Sequence, residues 1–244
     1  MQKRRKRLQP ALRSLTMSAE QEPWFVAATG LLDVRRQDRL LAIGISLEQA
    51  RGLAALVGKG GTLVAVIAAT AVAEQLAALE LPQVTVLAHA VQGDEPFGTF
   101  DAVLVESRTG PVLPLGSYAN LLRTNLRPGG RFVLDLPGTE MVPDLAACWI
   151  ELGWPPARLQ CLRGLADDVL AETLRNAGLR SVHGVLGAHL VNAASPAELV
   201  AAFAAALELQ PAEQLELAHA LVRRRATTGP IETLVHRTRL QGQR

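Results

Sequence analysis

The chain has 244 residues, of which 49% are hydrophobic and 20% are charged, the balance of a globular protein rather than a disordered one. Six of the 25 basic residues lie within the first 13 positions, whereas all 23 acidic residues lie beyond position 16. This distribution leaves a mildly acidic body, which argues against nucleic-acid binding by that body. No uninterrupted apolar run reaches about 18 residues, so no membrane span is expected.

The first 21 residues form a basic arm that has no apolar stretch behind it, so a secretory signal is not expected. We predict that residues 1–21 are disordered and that the basic run at 3–7 is available to an acidic partner. Met17 is an alternative start. The two cysteines, Cys148 and Cys161, fit no metal-ligand spacing and predict reduced thiols in a cytoplasmic protein.

From residue 22 onward a short helical segment extends to Leu32, and strands then alternate with helices. Several of the predicted strands are continuous apolar runs, typical of strands that are covered on both faces of a parallel sheet. The predicted strands are 39–45, 62–68, 83–88, 100–106, 131–136, 180–186 and 188–192. The predicted helices between them are 47–57, 70–80, 116–126 and 166–177. This alternation predicts an α/β fold with a doubly wound, mainly parallel sheet.

The segment 138–165, between the fifth strand and the next helix, is predicted as an insert that covers either a substrate pocket or a partner surface. Two further helices, 196–209 and 211–225, are predicted after the sheet because Ser195-Pro196 and Gln210-Pro211 are typical helix starts. We therefore divide the chain into an α/β domain at 22–193, a helical extension at 194–226 and a loose tail at 227–244.

Three stretches of the chain resemble class I S-adenosylmethionine-dependent methyltransferases. Residues 31–44 (LLDVRRQDRLLAIG) look like that family's lead-in to its first strand, and 100–105 (FDAVLV) are similar to its fourth strand. Residues 121–134 (LLRTNLRPGGRFVL) carry the most specific likeness, a helix that ends in LRPGG and turns into the fifth strand. Over residues 30–193 the resemblance implies the family's seven-stranded Rossmann-like sheet.

The same resemblance implies where a cofactor, S-adenosylmethionine, would bind if the site is functional. The family has an acidic residue and a GxGxG loop after its first strand, and here Ala42 takes the place of the acid. Gly44 is retained, while Ser46 and Glu48 stand at the second and third glycines. The remaining cofactor-binding candidates are Ala68, where a carboxylate would hold the ribose, and His89 or Asp94 near the adenine.

No residue pattern identifies a catalytic group. Glu106, at the end of the fourth strand, is the single weak candidate, because ligands bind at the carboxyl edge of open α/β sheets. The sequence favours a methyltransferase-like protein that has lost ordinary cofactor binding and serves as a binding or assembly subunit. Its protein partner or second copy is expected on the C-terminal helices, 196–225. The alternative is an active methyltransferase with a divergent cofactor loop that acts on a small molecule.

Overall fold

The computed structural model of the protein describes residues 23–107 and 113–244. The basic arm, the run at 3–7 and Met17 lie outside the described residues. The strands are β1 (Arg39–Ile43), β2 (Thr62–Ile67), β3 (Val84–Ala88), β4 (Phe100–Glu106), β5 (Leu126–Pro137), β6 (Arg180–Ala193) and β7 (Ile231–Gln243). The helices are α1 (Pro23–Leu32), α2 (Leu47–Val57), α3 (Thr70–Ala77), α4 (Leu115–Asn125), α5 (Pro143–Glu151), α6 (Asp167–Asn176), α7 (Pro196–Phe203) and α8 (Pro211–Arg225), with a 3₁₀ helix at Pro156–Leu162.

All seven strands form one sheet, in the order β3-β2-β1-β4-β5-β7-β6. β1 to β5 pair in parallel, and β7 alone runs antiparallel to both of its neighbours. Apolar side chains cover both faces of this sheet in two separate layers of the core. The predicted fold class, an α/β doubly wound and mainly parallel sheet, is confirmed.

The predicted loose tail, 227–244, is wrong, because its residues 231–243 form β7 between β5 and β6. The buried positions of β7 include Arg237 and Arg239, which a reading of the sequence takes for solvent-exposed residues. The two strands predicted at 180–186 and 188–192 are one continuous strand, β6, paired along its length with β7.

The helices α7 and α8 pack on one face of the sheet, together with the insert. Leu217 and Leu221 of α8 are fully buried in the same apolar layer as Trp149 of α5. The Arg158 guanidinium of the 3₁₀ helix donates hydrogen bonds to the backbone oxygens of Leu207 (3.0 Å) and Glu208 (2.8 Å). The apolar sides of both helices are therefore used within the chain itself.

Candidate functional site

The carboxyl ends of β1, β2, β3 and β4 meet at one edge of the sheet, and Gly44 lies immediately after β1. Its φ is +78°, and a Cβ at this position would lie 2.0 Å from the backbone oxygen of Glu106. The Gly44 amide also donates a hydrogen bond to the backbone oxygen of Val66 (3.0 Å). Gly44 is therefore required by the close approach of the β1–α2 connection to the end of β4.

The next two candidates, Ser46 and Glu48, lie at the start of α2. Ser46 is the N-cap, where its Oγ accepts from the Gln49 amide (3.2 Å) and its own amide donates to Gln49 Oε1 (2.7 Å). This reciprocal pair satisfies two backbone donors of the helix. Glu48 is exposed in the first turn. Both side chains thus have a role in starting the helix, whether or not a ligand binds.

Alanines mark the two positions at which an acidic residue would be expected. Ala42 is completely buried within β1. β2 ends at Ile67 and is followed by exposed Ala68 and Ala69, after which α3 begins without a side-chain cap. Since neither residue carries a polar side chain, the end of β2 offers a ligand only backbone groups and methyl groups.

Glu95 holds the loop between β3 and β4, and its neighbour Asp94, the candidate for a contact with the adenine, is exposed. Glu95 accepts from the amides of Gln92 (2.5 Å) and Gly93 (2.8 Å) and lies 3.1 Å from His89 Nε2. Partial burial alone would raise the pKa of Glu95, but these backbone hydrogen bonds outweigh it and lower the pKa to about 2. His89 follows β3 at the same sheet edge, and its amide donates to the backbone oxygen of Ile67 (3.2 Å).

An open depression lies beside this loop at the outer edge of the sheet. It is lined by Val86, Leu87, Ala88, His89, Glu95, Pro96 and Phe97. The rings of His89 and Phe97 meet edge to face, with centroids 5.9 Å apart. The lining is mainly apolar, and its one carboxylate already accepts the hydrogen bonds of the loop.

A buried ionic cluster, which the sequence did not predict, lies at the ends of β4 and β5. Arg237 donates from Nε to Asp135 Oδ1 (2.9 Å) and from its two terminal nitrogens to the backbone oxygens of Ser107 (2.7 Å) and Asp135 (2.8 Å). Arg239 contacts Asp135 Oδ2 (3.4 Å) and His189 Nε2 (2.7 Å). The relative exposure of Asp135 is 1% and that of Arg237 is 3%.

Burial lowers the pKa of His189, and the charge of Arg239 lowers it further, so the ring is neutral at pH 7 and accepts from the guanidinium. Glu106, the weak catalytic candidate, is 4% exposed and pairs in register with Asp135. No local pattern could have identified this cluster, because Asp135 and Arg237 lie 102 positions apart. The pairing of β5 with β7 brings them together.

The structure therefore brings Gly44 next to Glu106, and Ala68 next to His89, at one sheet edge, while Asp94 stands apart. Among the described residues, no group of three or more His, Cys, Asp or Glu side chains is arranged to hold a metal ion. Burial raises the pKa of the free Cys148 thiol to about 11, which removes it as a nucleophile at neutral pH. Within the described part of the chain, no helix is long and apolar enough to cross a membrane.

Three solved structures show the same fold. YcgJ of Bacillus subtilis matches with a TM-score of 0.64 over 90% of this chain and 97% of its own, at 13% identity. A cyclopropane-fatty-acyl-phospholipid synthase-like protein of Lactobacillus casei ATCC 334 matches with a TM-score of 0.58 over 98% and 99%, at 16% identity. An S-adenosylmethionine-dependent O-methyltransferase of Thermotoga maritima matches with a TM-score of 0.52 over 91% and 65%, at 13% identity.

No protein-family model and no curated protein sequence matches the chain. At identities this low, structural likeness establishes the fold, which is that of the class I methyltransferases.

Proposed function

Starting from a chain with the class I methyltransferase fold, we propose that it does not bind S-adenosylmethionine in the ordinary way and acts as a non-catalytic binding or assembly subunit. The observation that carries this proposal is the end of β2, where exposed Ala68 and Ala69 provide no carboxylate for a ribose. A bidentate contact to two hydroxyls is thereby lost, which costs about 1–3 kcal/mol of binding energy.

The β1–α2 connection supports the same proposal. Of the three glycine positions, only Gly44 keeps a glycine, and its conformation is required by the contact with Glu106. Ser46 and Gln49 form hydrogen bonds with each other. Two or three compromised contacts of about 1.4 kcal/mol each weaken a micromolar ligand by a hundredfold to a thousandfold.

The ionic cluster supports the non-catalytic part of the proposal. Arg237 joins the ends of β4 and β5 through Ser107 and Asp135, at the edge where ligands bind in open α/β sheets. A buried guanidinium that donates to three oxygens is costly to displace, because each partner left behind is a buried polar group without its hydrogen bond. The ends of β4 and β5 are therefore held rigidly by this cluster.

Calorimetric titration of the purified protein with S-adenosylmethionine and with S-adenosylhomocysteine tests the proposal. We expect no binding tighter than about 100 µM. The triple variant Ser46→Gly, Glu48→Gly, Ala68→Asp restores two glycines and the carboxylate, and we expect it to bind S-adenosylhomocysteine at least about tenfold more tightly. The matched control carries the same two glycines with Ala69→Asp in place of Ala68→Asp.

Tight binding by the wild-type protein would overturn the proposal and favour the alternative, an active methyltransferase with a divergent loop acting on a small molecule. The position of Glu106 at the carboxyl edge of the sheet favours that alternative. A triple variant that binds no better than its control would contradict the role assigned to Ala68.

An assembly role through residues 196–225 would have to use the outer side of these helices. Leu215 of α8 is 59% exposed, whereas its neighbour Leu217 is fully buried. The location that the sequence predicts, the cytoplasm, stays a prediction.

A further inference from the structure

β6 lies at the outer end of the sheet, and within the described chain β7 is its one neighbouring strand. β7 pairs with it continuously from His183 to Ala193. The opposite side of the strand therefore presents backbone amides and carbonyls along the same length. Natural edge strands are usually protected by lysine, proline or a bulge. Between His183 and Ala193 the sequence has no lysine and no proline, and the pairing has no irregularity.

Apolar side chains border this edge. Leu186 (56% exposed) and Leu190 (53% exposed) lie on one face of β6, and Leu190 is paired across the ladder with Leu234 (44% exposed). We call these three residues the edge patch. Helix α6 covers this face only as far as Gly184, where an added Cβ would lie 3.4 Å from the Cβ of Asp167. A partner that adds a strand to β6 would cover the edge patch as well.

Charged groups of opposite sign lie near the two ends of β6. Arg180 is exposed at the amino end of the strand. At the carboxyl end, Glu232 is exposed on β7 beside Asn192, and the Glu198 carboxylate accepts from the Ala194 amide (2.6 Å). β6 itself carries no acidic residue, and the Arg225 guanidinium also reaches its carboxyl end, where it donates to the Glu232 backbone oxygen (3.0 Å). With Arg180 at the amino end and the two carboxylates beside the carboxyl end, the surroundings of the strand are complementary to those of an antiparallel copy.

We propose that the β6 edge is a homodimer interface, in which β6 of a second copy pairs antiparallel with β6 about a two-fold axis. Pairing centred on Gly187 places Arg180 opposite Ala194 of the second copy, close to the acidic end of that strand. It also brings the two edge patches together on one face of a continuous sheet of fourteen strands. Such a contact is self-complementary and closed, so it stops at two copies.

The inference rests on the assembly role proposed above and not on the loss of cofactor binding. Sedimentation velocity of the full chain across a concentration series tests it, and we expect a reversible monomer–dimer equilibrium. Leu186→Lys places a charge in the paired edge patch, and we expect it to weaken association by at least about a hundredfold. The matched control is Leu56→Lys, an exposed leucine on α2 (45%) that belongs neither to the edge patch nor to residues 196–225, for which we expect the wild-type equilibrium.

The charge pattern gives a second test that does not depend on the apolar contacts. Arg180→Glu should weaken the dimer about tenfold, and adding Glu232→Arg should recover most of that loss, because the two ends of the interface are then exchanged in sign. Circular dichroism confirms that each variant is folded. Hydrogen exchange should show protection of alternate β6 amides in the dimer and its loss in Leu186→Lys.

Three results would overturn the proposal. The first is a wild-type protein that is still monomeric at about 100 µM, a concentration well above ordinary dimer dissociation constants. The others are a dimer whose affinity is unaffected by Leu186→Lys, and a different chain that copurifies through the edge patch. Cofactor titration on the same samples keeps the two proposals separate. A monomer that does not bind S-adenosylhomocysteine contradicts only the interface. A dimer that binds it tightly contradicts only the loss of cofactor binding.

Discussion

At the scale of single residues, the β1–α2 connection keeps what the fold needs. Gly44 has a positive φ and touches the end of β4, so its lack of a side chain is a requirement of the backbone path. Ser46 replaces a glycine but supplies an N-cap, which typically stabilises a helix by about 1 kcal/mol. Gly44 is thus fixed by its contact with the end of β4, whereas the side chain at position 46 serves as a helix cap.

The requirement at Gly44 can be measured. We expect Gly44→Ala to lower the free energy of unfolding by more than about 3 kcal/mol, since it combines an unfavourable φ with a collision between Cβ and the Glu106 oxygen. Urea denaturation followed by circular dichroism gives the value.

Two other glycines distinguish the effect of an unfavourable φ from the effect of a collision with the Glu106 oxygen. Gly129 has a φ of +75° with no atom within 4 Å of an added Cβ, so Gly129→Ala should cost only about 1 kcal/mol. Gly116 lies in α4 with open space around it, and Gly116→Ala should be neutral or stabilising by up to about 1 kcal/mol. Equal losses at Gly44 and Gly129 would show that the close approach to Glu106 is absent.

At the scale of elements, the sequence predicts the interior of the sheet well. The predicted bounds of α2, β4 and α8 agree with the structure, because continuous apolar runs and helix caps are local signals. Glu106 ends the predicted strand 100–106, and its expected position at the carboxyl edge of the sheet agrees with the structure. Gly44, Ala68 and His89 directly follow β1, β2 and β3 at the same edge. The hydrogen-bond partners of these residues were not predictable.

β7 was missed for a physical reason. Arg237 and Arg239 are buried because Asp135, on a strand about a hundred residues earlier, forms ion pairs with both of them, and backbone oxygens and His189 accept further hydrogen bonds. Burial of charge depends on a partner that the local pattern does not contain. The same holds for Glu95, whose importance comes from two backbone amides in a tight loop and not from its similarity to any motif.

Glu95 gives the loop between β3 and β4 a predictable dependence on pH. Its pKa is lowered from 4.5 to about 2 in the folded protein, so its contribution to stability is fully present above about pH 5 and declines as the pH falls toward 2. The stability difference between wild type and Glu95→Gln should therefore be largest near pH 7 and shrink steadily between pH 5 and 3.

Urea titrations at several pH values measure this difference. Asp94→Asn, which removes the same charge at the exposed neighbouring position, is the matched control and is measured at the same pH values. A constant gap between wild type and Glu95→Gln across this range would contradict the hydrogen bonding assigned to Glu95.

At the scale of the whole molecule, β7 completes the sheet from inside, because it lies between β5 and β6. β7 separates β6 from β5, and the Arg244 amide beyond it donates to the backbone oxygen of Gly130 (3.0 Å) in the LRPGG turn. The helices α7 and α8 lie between β6 and β7 along the chain. They are therefore held at both ends by the sheet, and their apolar sides complete one of its two core layers.

A chain that ends after Ala226 should therefore be strongly destabilised, because it lacks β7. Removal of β7 leaves Asp135 without Arg237 and Arg239 and exposes the apolar surface around fully buried Leu240. We therefore expect the shortened chain to bind a hydrophobic dye and to show no cooperative unfolding transition.

Paired substitutions within the intact strand β7 test the same role by smaller changes. Leu240→Ala should cost about 2–5 kcal/mol, whereas Leu234→Ala, at a half-exposed position of the same strand, should change stability by no more than about 0.5 kcal/mol. A shortened chain that unfolds cooperatively with the stability of the full protein would contradict the central position of β7.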